Sequence, residues 1–393
     1  MLEGIVVSQT RSKIALATLI ALVATGCSGQ SEGDAGGGKR PSTVKIAMLA
    51  DLTGGASFCG KAARTGAETA VKKINNDGLA GPGTKLALTV KDTATNPRQA
   101  ASAMSRIAGD DAVAVTFGCA SQVALAVAPV AQQSKIPFVA MQSGAPGVLE
   151  AGDYVFRSTA PQSSYQKLVV DKLVPRGVKS AAIVYQSDNA TLVTMGEKIY
   201  PSLLANAGIS VIAREKFQGA GFDFAALASR VAGRSPDAVI MLGQGTPNVT
   251  VITQLRQAGF RGTVVGSQSF EGGVLAPLGG LADGALWASD FNTAGKSPST
   301  RAFVDYYRSV NRAEPSTFAA QAWDSMMLLA AGVKAAPKVD RAGVRTGLQT
   351  AAGAGVEGAV GRIRFEGRDA RVPGLVITWR NGREQLADAA NGS

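Results

Sequence analysis

The chain has 393 residues, of which 46% are hydrophobic and 18% charged, and its formal net charge is +11. This composition excludes an intrinsically disordered chain, and the length is sufficient for two ordinary domains, each with its own core. The sequence contains no histidine, which excludes Ser-His-Asp and Cys-His catalytic groups and histidine-ligated zinc or haem. Basic residues are scattered among acidic ones rather than clustered, so no nucleic-acid partner is expected.

Residues 1–26 have the pattern of a secretory signal peptide. Arg11 and Lys13 precede an apolar run over 14–24 that is too short to span a membrane, and small residues follow it. Cys27 stands where a bacterial lipobox has its lipidated cysteine, and this resemblance implies cleavage before Cys27 and diacylation of its thiol. The alternative is an ordinary cleaved signal peptide followed by an unrelated cysteine.

Residues 27–42 are rich in Ser and Gly and contain no apolar anchor, which predicts a flexible tether after the lipidated cysteine. A lipid followed by a tether and a globular body predicts a protein held at the outer face of the cytoplasmic membrane.

Strand and helix patterns alternate over residues 43–141. Apolar or alternating runs predict buried strands, and apolar residues at helical spacing predict helices between them. Asn96 and Pro97 open one of these helices, with Pro at the first helical position. The predicted strands cover 44–50, 85–91, 112–117 and 137–141, and the predicted helices cover 63–74, 97–108 and 121–133.

The same pattern restarts after residue 180. The sequence SRIAG at 105–109 precedes one predicted strand, and SRVAG at 229–233 precedes its counterpart. Two similar βα units in series predict an α/β fold with two doubly wound parallel-sheet lobes. The predicted strands cover 180–185, 210–216, 238–242 and 263–265, and the predicted helices cover 193–207, 223–232 and 249–258.

The last hundred residues do not repeat this pattern. Helices are predicted at 299–310, 317–336 and 341–351, with strands at 361–365 and 374–380 before the Asn381-Gly382 turn. We expect these helices to complete one lobe and the closing strands to return to the other. The chain would then cross between the lobes several times and form a multi-strand hinge. We expect lobe 1 to comprise 43–158 and 291–364, and lobe 2 to comprise 159–290 and 365–390.

Polar loops follow the predicted strands, where the ligand site of an open parallel sheet lies. Their Gly, Ser, Thr, Asn and Gln residues suit a small polar or anionic ligand, because backbone N–H groups at helix N-termini are free to donate. No general base stands among them, so neither catalysis nor a metal or cofactor is expected. The alternative is that they are only capping and turn residues. These loops lie at 53–60, 118–121, 142–144, 186–189, 243–246 and 267–269.

Cys59 and Cys119 lie in two neighbouring loops of this set. In an exported protein a disulfide between them is plausible, and it would fix the floor of the cleft. The alternative is two free thiols near the ligand.

Several motifs along residues 43–388 resemble the leucine/isoleucine/valine-type extracellular solute-binding proteins of ABC importers. Their order along the chain, rather than any single motif, carries the resemblance. It implies the type I periplasmic-binding-protein fold, with two lobes that close on a ligand about a multi-strand hinge and dock onto a permease. The motifs lie at 65–71, 91–100, 118–121, 128–130, 136–137, 254–259 and 358–361, followed by Phe365.

The resemblance also implies a set of ligand contacts. Ser121 or the Ala120 amide would hold a ligand carboxylate, together with the loop at 142–144. Phe318 would wall the side-chain pocket. The full set is Phe58, Cys59, Ala120, Ser121, Gln142, Ser143, Gly144, Asn189, Gly245, Thr246, Gln268 and Phe318.

Two departures from the family pattern bear on the ligand. Gln268 takes the place of the glutamate that pairs with the α-ammonium in amino-acid binders, and an amide cannot neutralise a buried ammonium. Gly245 and Thr246 occupy a position where those binders often have an aromatic residue. A neutral amide, an aromatic acid or an aliphatic carboxylate therefore becomes a candidate, although Asp188 could supply a charge for an amino acid.

The sequence thus predicts a membrane-anchored extracytoplasmic receptor that captures a small polar or carboxylate ligand by hinge closure and delivers it to an ABC permease. The expected ligand is a branched-chain amino acid or a related compound, such as an amide or an organic acid. The alternative of another class is a ligand-sensing module on the same fold that acts on a signalling partner. An enzyme of the Rossmann type is disfavoured, because no GxGxxG motif follows the first strand.

Overall fold

Strands and helices alternate from Thr43 onward in the computed structural model, which describes residues 40–387. The predicted signal peptide, Cys27 and nearly all of the predicted tether lie outside these residues, as do residues 388–390 of the predicted second lobe. The elements up to the first crossing are β1 Thr43–Ala50, α1 Ser57–Asp77, β2 Lys85–Asp92, α2 Pro97–Ala108, β3 Ala114–Gly118, α3 Ser121–Gln133, β4 Phe138–Ala140 and β5 Val155–Arg157.

The first helix begins earlier than its apolar periodicity predicts. The sequence indicates a helix from Ala63, whereas α1 starts at Ser57. The Ala56 backbone N–H donates to Thr95 Oγ1 at 3.1 Å, which holds the chain before the first turn. Phe58 and Cys59 therefore lie on the first turn of a helix rather than in a loop.

The second series of elements repeats this order. Asn189 caps α5 by accepting the Leu192 N–H, and a π-helical turn at Met195–Ile199 joins α5 to α6. The elements are α4 Gln166–Leu173, β6 Ser180–Gln186, α5 Ala190–Thr194, α6 Tyr200–Asn206, β7 Ser210–Phe217, α7 Ala225–Ala232, β8 Ala238–Leu242, α8 Thr246–Gln257, β9 Thr263–Gly266 and β10 Leu286–Ser289.

The last part of the chain adds three helices and then five short strands. Its elements are α9 Pro298–Asn311, α10 Thr317–Ala335, α11 Arg341–Ala354, β11 Val356–Gly358, β12 Gly361–Glu366, β13 Asp369–Arg371, β14 Leu375–Arg380 and β15 Arg383–Leu386.

The strands form two sheets of related order. The first runs β11-β12-β13-β5-β4-β3-β1-β2, and the second runs β15-β14-β10-β9-β8-β6-β7. In each sheet the first five strands in chain order are parallel. Strands from the tail of the chain extend one edge of each sheet: β13 joins β5 in parallel, and the other tail pairs are antiparallel. The predicted α/β fold with two doubly wound sheets is thereby confirmed.

Each sheet has an apolar core on both of its faces, as expected for parallel sheets covered by helices. Helix α10 is buried along nearly its whole length in the first lobe. It packs closely against α1, where a Cβ at Gly66 would collide with the Ala319 backbone. Within residues 40–387, no helix combines the length and the apolar character needed to cross a membrane.

The chain passes between the two sheets three times, after β5, after β10 and after β13. The predicted return at residue 365 is too early, because β12 and β13 both pair within the first sheet. We refer below to the first sheet with its helices as lobe 1 and to the second as lobe 2. The predicted helices at 299–310, 317–336 and 341–351 do complete lobe 1.

A buried ion pair joins two of these crossings. Arg157 at the end of β5 donates from Nε and Nη2 to the two carboxylate oxygens of Asp369 in β13, at 2.6 and 2.8 Å. Burial alone would raise the pKa of Asp369, but the Arg157 and Arg371 guanidinium groups hold it below its usual value. The hinge segments are therefore fixed to each other by a charged, two-pronged contact.

Candidate ligand-binding site

The carboxyl ends of the parallel strands of the two lobes meet across a cleft. Helix α3 begins just after β3 in lobe 1, and α5 begins just after β6 in lobe 2. Their first turns are in contact, because the Ser121 and Thr191 hydroxyl groups share a hydrogen bond of 2.8 Å. The cleft thus lies where open α/β sheets bind their ligands.

A small cavity between the lobes is lined by residues from both. Its volume is about 30 Å³, so a solute the size of an amino acid requires the side chains or the lobes to move apart. No ionisable side chain stands among the residues that line it. They are Ala56, Phe58, Cys59, Cys119, Gln142 and Phe318 of lobe 1, Gln162 of the first crossing segment, and Gln244, Gln268 and Ser269 of lobe 2.

Gln142 is held in a strained backbone conformation beside this cavity. Its φ of 54° is in the left-handed region, which residues other than glycine seldom adopt. Its backbone N–H donates to Thr159 Oγ1 at 2.7 Å, and its side-chain Oε1 lies 2.8 Å from Cys59 Sγ. A strained backbone conformation persists only where surrounding contacts hold it, and such residues are concentrated at functional sites.

A disulfide joins Cys59 and Cys119, with a Cα–Cα distance of 6.1 Å. It connects the first turn of α1 to the loop between β3 and α3. The structure therefore contains the bond that the sequence allowed, rather than two free thiols, and both half-cystines face the cavity.

Two phenylalanines form the apolar wall of the site. Phe58 and Phe318 meet edge to face, with ring centroids 5.5 Å apart. Phe318 lies on the first turn of α10, whose N-cap Ser316 accepts the Ala319 N–H. Two lobe 2 glycines, Gly245 and Gly272, pack beside Phe58 and Phe318. The aromatic wall of lobe 1 is therefore in contact with lobe 2.

Gln268 is oriented by a buried carboxylate behind it. Its Nε2 donates to Asp290 Oδ1 at 3.0 Å, and Asp290 also accepts from Gln321 Nε2 and Thr317 Oγ1. Burial raises the pKa of Asp290, and these hydrogen bonds oppose the rise. This bond uses one of the two Nε2 hydrogens, and Oε1 is the atom of Gln268 that can accept a hydrogen bond from a ligand.

Ala120 does not offer a free amide in this arrangement. Its backbone N–H donates to Asp51 Oδ2 at 3.3 Å, and the Thr93 hydroxyl donates to the other Asp51 oxygen. Burial raises the pKa of Asp51 to about 6, although the hydrogen bonds from Thr93 and Ala120 lower it in part. An internal carboxylate thus occupies the donor that the resemblance assigned to a ligand carboxylate.

Other residues of the predicted set are not among those that line the cavity. The Ser121 hydroxyl is bonded to Thr191, the Ser143 hydroxyl donates to the Met141 carbonyl, and the Asn189 side chain caps α5. Gly144 packs against lobe 2 near Gln162 and Thr191. Their proposed contact with a ligand stays a prediction.

The backbone conformation at Gly245 accounts for the absence of an aromatic residue at this position of lobe 2. It precedes α8 with φ 59° and ψ −136°, a conformation that only glycine adopts without strain. Thr246 follows it and lies at a wider outer cavity of about 550 Å³ at the mouth of the cleft, together with Asp188 and the exposed Phe222. Asp188 is therefore outside the inner cavity, where it accepts the Gly219 N–H.

Three amide or hydroxyl side chains of the cavity were not assigned by the sequence. Gln244 and Ser269 lie in loops that the strand ends predict, but nothing in the pattern singles them out. Gln162 lies in a 3₁₀ turn on the first crossing segment, for which no periodic signal exists. Only the topology of the hinge brings it to the cleft.

We predict that the Cys59–Cys119 bond resists alkylation and stabilises the protein. Iodoacetamide in denaturant should modify neither cysteine before reduction and both after it, as read by peptide mass spectrometry. The Cys59→Ser, Cys119→Ser double variant should lose about 4 kcal/mol of unfolding free energy, because the bond closes a loop of 60 residues. Alkylation of both residues without reductant would contradict the bond and favour free thiols.

Known proteins resemble this chain along most of its length. The Leu/Ile/Val-binding protein BraC3 of Rhizobium johnstonii is 25% identical over 323 residues, which cover 82% of this chain and 87% of that protein. The isoleucine complex of the branched-chain amino acid transporter substrate binding protein LivJ from Streptococcus pneumoniae superposes with a TM-score of 0.79 at 24% identity. That match covers 88% of this chain and 98% of LivJ.

A solved structure with a different ligand also shares the fold. The solute binding protein of an ABC transporter from Rhodopseudomonas palustris BisB5, in complex with 3,4-dihydroxybenzoic acid, matches with a TM-score of 0.76 at 22% identity. The match covers 88% of this chain and 96% of that protein. A family model described as periplasmic binding protein matches residues 43–378. With its two doubly wound lobes and interlobe cleft, the chain belongs to the periplasmic binding protein family.

Proposed function

We propose that this protein captures a small extracytoplasmic solute between its lobes and delivers it to the permease of an ABC importer. The observation that carries the proposal is the small cavity whose wall comes from both lobes at the carboxyl ends of both sheets. A solute held there contacts lobe 1 through Gln142 and Phe318 and lobe 2 through Gln244 and Gln268. The family and its relatives support the transport role.

Hinge closure follows from this two-sided wall. A solute that contacts both lobes only when they meet stabilises the closed state by its differential affinity for that state. The three crossing segments allow the lobes to separate and meet again. The permease then distinguishes the loaded receptor by the relative position of the two lobes.

The proposed ligand is a carboxylate or amide without an ammonium group, such as an aromatic acid or an aliphatic carboxylate. The cavity wall supplies side-chain amides, the Ser269 hydroxyl and aromatic faces, but no carboxylate to neutralise an ammonium. Gln268 offers an acceptor oxygen in place of a charge. The R. palustris relative, in complex with 3,4-dihydroxybenzoic acid, is a precedent on this fold, whereas LivJ with isoleucine represents the alternative.

We predict that, in calorimetric titrations of the purified protein, solutes without an ammonium group bind more tightly than matched solutes that carry one. The matched pair is leucine and 4-methylpentanoate, which differ only in that group, with benzoate and isovaleramide as further members. At least one ammonium-free solute should bind at least about tenfold more tightly than leucine, isoleucine or valine. Tighter binding of leucine than of 4-methylpentanoate would contradict the ligand assignment, as would no binding by any member.

The cavity itself is tested by a pair of glutamine variants. Gln244→Ala removes an amide from the wall in lobe 2 and should weaken the best solute by about tenfold. Gln99→Ala is the matched control, because its side chain lies on the exposed start of α2 and donates to the Asp92 carbonyl. Equal affinities for the two variants would place the solute elsewhere.

The membrane anchor is part of the same proposal and rests on the sequence around Cys27. We predict that the protein fractionates with membranes and that Cys27→Ser releases it to the soluble extracytoplasmic fraction, because the thiol is the site of acylation. Membrane association that persists in Cys27→Ser would contradict a lipid anchor at this residue.

A further inference from the structure

The Gln268 amide oxygen faces the inner cavity, because a hydrogen bond fixes the other end of the amide. Its Nε2 donates to Asp290 Oδ1 at 3.0 Å, and the reverse orientation would set Oε1 against a carboxylate oxygen. Gln268 is only 1% exposed, and it lines the inner cavity. Its Oε1 keeps some exposed surface, whereas the Oε1 of Gln321, the other amide on Asp290, is sealed inside the protein. The part of Gln268 that a solute meets is therefore an acceptor.

This oxygen has no donor from the protein. Within residues 40–387 no group donates to Gln268 Oε1, and the Tyr165 hydroxyl near this amide has no hydrogen-bond partner in that part of the chain. An amide oxygen without a donor is costly once water is excluded, so closure of the lobes calls for a donor on the solute. The bond from Gln268 to Asp290 polarises the amide and strengthens its oxygen as an acceptor.

The wall of the same cavity in lobe 1 presents donors instead. Ala56, Phe58 and Cys59 line it at the start of α1. Ala56 has no side chain that can cap the helix, and the Phe58 N–H finds no acceptor among residues 40–387. Gln142 Oε1 lies against Cys59 Sγ, which leaves the Gln142 Nε2 as a further donor. Free N–H groups and the positive end of a helix favour an anion, so this wall suits a carboxylate.

The acceptor and the donors are close together, because the cavity that they share has a volume of about 30 Å³. A solute that satisfies both walls therefore carries its anionic group and its donor on neighbouring atoms. The donor is neutral, since no lining residue supplies a charge to balance an ammonium. A hydroxyl group on the carbon next to a carboxylate has this arrangement.

We propose that the solute is a 2-hydroxy acid whose hydroxyl donates to Gln268 Oε1. Its carboxylate accepts from the start of α1 and from Gln142, and its carbon chain lies against the rings of Phe58 and Phe318. This inference rests on the proposed function and narrows the class of solute. An acid without the hydroxyl leaves Gln268 Oε1 unpaired, and a primary amide lacks the negative charge that the start of α1 favours.

The direct test compares acids that differ only in the hydroxyl, by calorimetric titration of the full protein. The pairs are 4-methylpentanoate with 2-hydroxy-4-methylpentanoate, and phenylacetate with mandelate, each hydroxy acid as both enantiomers. In at least one pair, one enantiomer of the hydroxy acid should bind at least about tenfold more tightly than the parent acid, because a site built to bind a hydroxyl rejects the analogue that lacks it.

The outcomes separate this inference from the proposed function. Binding of the parent acids with no gain from the hydroxyl in either pair would overturn the inference and leave the receptor function intact. Tighter binding of isovaleramide than of any hydroxy acid would assign the donor to an amide and would also overturn it. No binding of any acid or amide would overturn both.

A substitution locates the hydroxyl. Gln268→Met keeps the length of the side chain but removes the acceptor, and should bring the affinities of the hydroxy acid and its parent acid to within about threefold of each other. Gln244→Ala, in the same wall, should weaken both acids alike and leave their ratio unchanged. An undiminished ratio in Gln268→Met would overturn the assignment. If Gln268→Met does not fold, the paired titrations of the unmodified protein still decide, since they need no variant.

Discussion

The carboxylate of Asp290 is the constraint on which the site depends. It lies buried where the chain leaves β10 of lobe 2, and it accepts hydrogen bonds from Gln268 of lobe 2 and from Thr317 and Gln321 of lobe 1. A buried carboxylate must be satisfied by donors, and here the donors come from both lobes. Asp290 thereby fixes three features together: the contact between the lobes at the hinge, the orientation of the Gln268 amide, and the start of α10 with Phe318.

The sequence predicts the repeated βα order because long buried strands and amphipathic helices carry a periodic signal. Strands of three or four residues carry little of it: β5, β10, β11, β13 and β15 were not predicted, although the equally short β4 and β9 were. Because β13 belongs to the first sheet, the last crossing lies after Arg371 and not at residue 365 as predicted. Its place in lobe 1 depends on the pairing with β5, a contact across more than two hundred residues that only tertiary structure reveals.

The lining of the inner cavity was predicted in part, and through resemblance rather than periodicity, while its contact with a ligand stays a prediction. Phe58, Cys59, Gln142, Gln268 and Phe318 do line one cavity. Polar residues at helix starts are ambiguous, since the same side chain that can hold a ligand can also cap a helix or join two lobes, as Asn189 and Ser121 do. The sequence could not show that Ala120 donates to Asp51, because that bond depends on how two strand ends come together.

Closure of the two lobes on a solute is the central claim, and small-angle X-ray scattering tests it most directly. Scattering is recorded without solute and at a saturating concentration of the tightest-binding member of the panel. The account predicts a smaller radius of gyration when the solute is bound, because bound solute favours the state in which the lobes meet. An unchanged radius of gyration with the solute shown to be bound would contradict hinge closure.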